Sequence, residues 1–120
     1  MTTTEYKNGV IATACWRVAP NELHQVMLAV CQVFINRASA VDGDLYDEAT
    51  AWLKDNPGEY PDPRDPQFQQ LLSRLESVTC GMVSDKTGGA LYFLPTNELQ
   101  SDMLKAFQIT TVIGGLTFIK

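Results

Sequence analysis

One segment limits what the rest of this chain can do. From Glu22 to about Ala38, Leu23, Val26, Met27, Val30, Cys31, Val33, Phe34 and Ile35 cover most of a helical circumference. A helix apolar that far round has to be buried on several sides, so the pattern predicts a central helix with the remaining elements packed about it. With 120 residues available, the chain can build one such core, because chains of about 100–200 residues form a single domain. A chain of this size buries roughly two-thirds of its unfolded surface and folds without staples. Residues 1–120 are therefore expected to be one domain.

The elements around the central helix can be read from periodicity and punctuation. Val10, Ile11, Ala14, Cys15 and Val18 recur at helical spacing and predict a first helix over about 5–18. Pro20 ends it, since proline donates no amide and disfavours helical geometry at Ala19. Val41-Asp42-Gly43-Asp44 is turn chemistry, and Tyr46 to Leu53 reads as a short amphipathic helix carrying Trp52. Asn56 to Pro66 holds four of the six prolines and predicts a loop or a docked extended strap. Asp65-Pro66 places an N-cap before a proline in the first turn. It opens a helix to about Met82 with the stripe Phe68, Leu71, Leu72, Leu75, Val78 and Met82. After a loop at 84–89, Ala90 to Leu94 predicts a strand stopped by Pro95, and Asn97 to Phe107 a short helix. Ile109 to Ile113, Gly114-Gly115 and Leu116 to Ile119 predict a closing hairpin.

Composition excludes several function classes. The net charge is −5, and the nine basic residues are scattered without a patch, which argues against nucleic acid as a partner. No run approaches the ~20 apolar residues that span a bilayer. The N-terminal Met-Thr-Thr-Thr-Glu-Tyr-Lys-Asn has no apolar signal region, so synthesis in a cytoplasm and delivery by other means, as for a phage virion or lysis protein, is the expectation. Cys15, Cys31 and Cys80 are an odd number in apolar surroundings, and are expected to be reduced, structural thiols. No Cys/His spacing suggests a metal and no phosphate loop is spelled, so neither metal nor cofactor is expected. The single His24, beside Glu22, reads as a solvent-facing residue at a helix start. The acids between Asp42 and Asp65 match a calcium loop only in part, and read as a solvated surface.

Two motifs carry more. Asp85-Lys-Thr-Gly-Gly-Ala-Leu-Tyr-Phe93 resembles the Asp-Pro-Thr-x-Gly-Ala-x-Tyr-Phe stretch of the spore cortex-lytic, SleB-like cell wall hydrolases. Ala29-Val-Cys-Gln-Val-Phe-Ile-Asn-Arg37 resembles that family's Ala-Val-x-x-Val-x-x-Asn-Arg helix. Val112-Ile-Gly-Gly-Leu-Thr-Phe118 is similar to its closing hairpin, with Gly115 or Leu116 where histidine is common. The resemblance implies an α+β, mainly helical, lysozyme-like domain with a small sheet near the C-terminus. It implies a monomer cleaving peptidoglycan glycan strands as a lytic transglycosylase or muramidase, in a groove lined by Thr87–Phe93 and the end of the first helix. Thr87, Gly88, Gly89 and Tyr92 are the substrate-binding residues it implies.

The chain departs from the pattern where the family carries its acid. The second glutamate of Ala-Glu-Ala-Arg-Gly-Glu stands seven residues before Ala-Val, which places it on Glu22 and puts the first on Val18. Valine donates no proton. Three readings stay open: an active glycosidase using Glu22 brought into range by a rearranged turn, an impaired glycan-binding domain, or an interaction protein using Asn56–Pro66 to hold a partner.

Overall fold

In the computed structural model, which describes residues 2–120, the central helix is α2 (His24–Ala40). Val26, Met27, Ala29, Val30, Cys31, Val33, Phe34 and Ala38 are buried along it, as its apolar circumference requires. Leu23 does not join them: it is the N-cap, and is 69% exposed. Helix α1 (Thr3–Val18) begins at Thr2, whose hydroxyl accepts from the Glu5 amide, and packs Ile11, Ala12, Ala14 and Cys15 into the core. Helix α3 (Leu45–Asp55) is capped by Asp44, and α4 (Pro66–Thr79) by Asp65, which accepts from the Gln67 amide at 2.9 Å. These three helices pack around α2, and α1 also packs against both α3 and α4.

Helix α4 stops one turn earlier than its apolar stripe predicts. Gly81, at φ +76°, reverses the chain, while the Met82 amide bonds Ser77 O and the Gly81 amide bonds Val78 O. This pair of bonds satisfies the last carbonyls of the helix and needs a left-handed residue. Met82 is consequently 82% exposed rather than part of the stripe. Cys80, as the C-cap, is also exposed, while Cys15 and Cys31 are buried. All three thiols are free, and the buried-hydrophobe reading fails for Cys80 alone.

The sheet has three antiparallel strands in the order β1 (Tyr92–Pro95), β3 (Leu116–Ile119), β2 (Ile109–Ile113). All four residues of β3 are buried, as befits the central strand. The hairpin falls where the sequence predicts, with a bulge at Thr110. Strand β1 starts at Tyr92 rather than Ala90 because the carbonyls of Ala90 and Leu91 are taken by side chains of α2: Asn36 donates to Ala90 O at 2.9 Å, and Arg37 to Leu91 O at 3.2 Å. Pro95 ends β1 as an edge residue opposite Leu116, a place proline tolerates. The helix expected over 97–107 divides into a 3₁₀ turn (Thr96–Glu98) and α5 (Met103–Ala106).

Candidate functional site

A cleft of about 470 Å³ opens between the helical body and the sheet. The end of α1 supplies Arg17 and Val18. The end of α3 and its following loop supply Trp52, Asn56 and Pro57, and the sheet side supplies Phe93, Leu94, Pro95, Leu116 and Glu98. Trp52 and Phe93 also line an adjoining depression of about 230 Å³ with Arg37, Glu48, Asp55 and Tyr92. The two make one groove, with aromatic rings along its length and polar groups at its edges.

The walls are held by interactions that follow from the two motifs. Asn36 lies one helical turn after Gln32, whose amide nitrogen donates to Asn36 Oδ1 at 3.0 Å and so orients it. Its own nitrogen then reaches Asp85 Oδ2 (3.2 Å), Thr87 Oγ1 (3.4 Å) and Ala90 O (2.9 Å). Arg37 ion-pairs with Glu48 at 3.1 Å and lies over the Tyr92 ring at 5.1 Å. Phe34 meets Phe93 edge to face at 5.9 Å. On the helical wall, Arg17 donates to Asn56 O and sits between the rings of Trp52 (5.8 Å) and Tyr60 (6.0 Å). The proline-rich segment is therefore a docked strap, fastened beside the cleft.

The predicted substrate-binding residues divide. Tyr92 is in the groove, 43% exposed, with one edge against Phe107. Thr87 is not: it is fully buried, and its hydroxyl bonds Asp85 Oδ1 at 2.6 Å and accepts from the Ala90 amide. Gly88 and Gly89 both take left-handed φ, and face Thr110 and Lys120 rather than the groove. Thr87, Gly88 and Gly89 thus shape the loop that sets β1, and the groove wall begins at Leu91. Partial burial would raise the Asp85 carboxyl, but bonds from the Thr87 hydroxyl and amide, Asn36 and the Gly89 amide outweigh it and hold it below the ordinary carboxylate value.

Val18 lies in the cleft. Glu22 does not line this cleft. Its Oε1 accepts from the Gly115 amide at 2.9 Å, so the carboxylate is spent on tying the α1–α2 turn to the hairpin. Glu22 lines a separate depression with Trp16, His24, Gln67 and Arg74. His24 is half-buried there rather than solvent-facing, and burial, helped by Arg74, lowers its pKa and favours the neutral ring. Glu22 and Val18 thus line different depressions. Among the described residues no cluster of three or more His, Cys, Asp or Glu side chains could hold a metal ion.

Sequence reasoning missed Asp55, Asn56, Pro57 and Glu98 as groove residues and gave Trp52 no role. The amphipathic turn carrying Trp52 was legible, but which wall it would face depends on how α3 packs against α1 and α2.

A helical body around one buried helix, closed on one side by a three-stranded sheet with a groove between them, defines an α+β fold of the SleB catalytic-domain type. The catalytic domain of the Bacillus cereus SleB protein shares it with a TM-score of 0.67 at 20% identity, over 97% of this chain and 91% of that one. The catalytic domain of the germination-specific lytic transglycosylase SleB from Bacillus anthracis shares it with a TM-score of 0.71 at 18% identity, over 100% of this chain and 97% of that one. No family model matches the sequence, and no curated protein matches it. The fold expected from the motifs is therefore the fold found.

Proposed function

We propose that this domain binds peptidoglycan glycan strands along the groove and cleaves them as a lytic transglycosylase, at the β-1,4 bond between N-acetylmuramic acid and N-acetylglucosamine. One observation carries the reading: Trp52, Phe93 and Tyr92 line the groove together with Arg17, Asn56, Asp55 and Glu98. Aromatic faces stack on the apolar faces of pyranose rings, and the polar edges answer hydroxyl and acetamido groups. The fold supports it, since one structure of the same fold is described as a lytic transglycosylase. A transglycosylase needs only one carboxyl, because the muramyl 6-hydroxyl closes onto the anomeric carbon in place of water. Val18 has no proton to give, and Glu22 lines another depression with its Oε1 accepting from the Gly115 amide.

Retention on purified sacculi tests the binding half. Wild type is expected in the pellet, and Tyr92→Ala to bind roughly tenfold more weakly, the scale of one aromatic contact of about 1.5 kcal/mol, while staying folded with a modest loss of melting temperature from the Phe107 and Arg37 contacts. No retention of either protein would sink the glycan reading and turn attention to a protein partner on the strap. Equal retention of both would remove Tyr92 from the site.

A further inference from the structure

If the strand lies in this groove, the reaction still lacks an acid, and the cleft offers one. Among the described residues lining the cleft that holds Val18, Glu98 is the single carboxylate. It belongs to the 3₁₀ turn that follows β1, and it makes no hydrogen bond or ion pair with any described residue. Glu48 in the adjoining depression is spent on Arg37 at 3.1 Å, and Asp55 lines only that adjoining part. The turn that carries Glu98 is rooted rather than loose. The Thr96 amide bonds Gly115 O at 2.9 Å, and the hydroxyls of Thr96 and Thr117 share a hydrogen bond of 2.9 Å. Leu99 N closes the turn on Thr96 O at 3.2 Å. The side chain is thus an uncommitted carboxyl on a fixed base, with Val18, Leu94 and Leu116 in the same cleft.

We propose that Glu98 is the catalytic acid and base of this domain, acting from the sheet side in place of the helical position that Val18 occupies. The proposal rests on the glycan reading above. A sugar seated in the cleft lies against the carboxyl and shields the reacting bond from bulk water. Glu98 gives its proton to the glycosidic oxygen as the bond from that oxygen to the muramyl C1 breaks, and N-acetylglucosamine leaves with a free 4-hydroxyl. The resulting carboxylate then takes the proton of the muramyl 6-hydroxyl as O6 bonds to C1. The product is a 1,6-anhydromuramyl end, and Glu98 is left protonated for the next turn without water being consumed.

The test pairs turnover with binding. Wild type, Glu98→Gln and Glu22→Gln are each incubated with purified sacculi. Soluble 1,6-anhydromuramyl products are measured by mass, retention on sacculi is measured separately, and folding is checked by thermal melting. Glu98 is exposed and unbonded, so Glu98→Gln is expected to melt and bind like wild type while losing about 10²-fold or more in product release. Glu22→Gln is expected to keep cleaving, scaled by whatever fraction stays folded. Wild-type cleavage that survives Glu98→Gln overturns the proposal. So does wild-type protein that binds sacculi but releases nothing, and that result leaves the glycan-binding reading standing. Absence of binding removes both.

Discussion

At Asp85, burial and hydrogen bonding pull the carboxyl in opposite directions, and hydrogen bonding wins. The consequence is a stability that depends on pH with a definite sign. A carboxyl lowered in the folded state stabilises it fully above its ordinary value, about 4, and the contribution is lost as pH falls through the lowered folded value. Asp85→Asn replaces an accepting oxygen with a donor that faces Thr87, Gly89 or Asn36. It is expected to cost about 1–2 kcal/mol near neutral pH, reduced from the usual worth of charged hydrogen bonds because the residue is exposed. Urea unfolding at pH 7 and at pH 3 checks this, since the gap between wild type and variant should narrow at the lower pH. A gap that stays constant would mean the carboxylate charge contributes nothing. Asp85 was legible as part of a motif, while Thr87, expected to meet substrate, is buried in the loop that Asp85 caps. Thr87 looked like a ligand contact in sequence because a loop that must be bonded internally uses the same small and polar residues as one that grips a substrate. Val18, which matches the position of the family's acid in the sequence motif, lines the cleft. Val18→Glu in the Glu98→Gln background is accordingly expected to recover part of the lost cleavage. Continued inactivity of a folded double variant, measured by the same product release, would show that the helical position no longer faces the scissile bond.

Among the elements, the Gly114-Gly115 turn shows what a single glycine can be asked to do. Gly114 has φ +58°, and a Cβ built there would lie 2.6 Å from Glu22 Oε2 and 2.8 Å from Val26 Cγ2. Gly81 has a similar φ of +76° but nothing within 4 Å. Alanine at Gly81 therefore meets only the conformational cost, about 1 kcal/mol. Alanine at Gly114 adds the clash and the displacement of Glu22 from the hairpin, for about 2–3 kcal/mol in all. Chemical denaturation of both variants checks the pair, and equal losses would mean that the Glu22 tie is slack. The positions and types of these elements were well foretold where periodicity governs: the four helices and the closing hairpin follow from apolar spacing. Their ends were not, where tertiary bonds govern. Helix α4 stops because Gly81 turns left-handed, β1 starts late because α2 takes two of its carbonyls, and 97–107 breaks in two. Nothing local distinguishes these outcomes from a longer helix or strand.

The molecule as a whole consists of a helical body and a sheet that share a core through Ala90, Leu116 and Phe118, with the groove at one side of their junction. Specific ties across the junction are Asn36 and Arg37 on the 85–91 segment, Phe34 on Phe93, and Glu22 on Gly115. Cys15 and Cys31 meet inside the helical body, where burial, and then the contact with Cys31, pushes the Cys15 thiol up. Cys80 alone is exposed. One thiol should label in the native protein and all three after denaturation, with the two buried ones reacting only as fast as the helical body opens. The sheet should behave differently from that body. Asn36→Ala removes the amide that serves Asp85, Thr87 and the carbonyl of Ala90, and leaves the fully buried Thr87 with a weakened loop around it. A buried acceptor left without its donor costs about 1–3 kcal/mol. Because Asn36 sits at a joint, the loss should be spent on the sheet. Amides of 85–95 and of the closing hairpin are expected to exchange with deuterium faster, while those of α1 and α2 keep their protection, and retention on sacculi should fall as the groove wall loosens. Exchange that quickens equally throughout would mean that the body and the sheet unfold as one unit. The groove would then be a rigid slot, and its Asn-Arg clamp would contribute to stability without setting the width of the site.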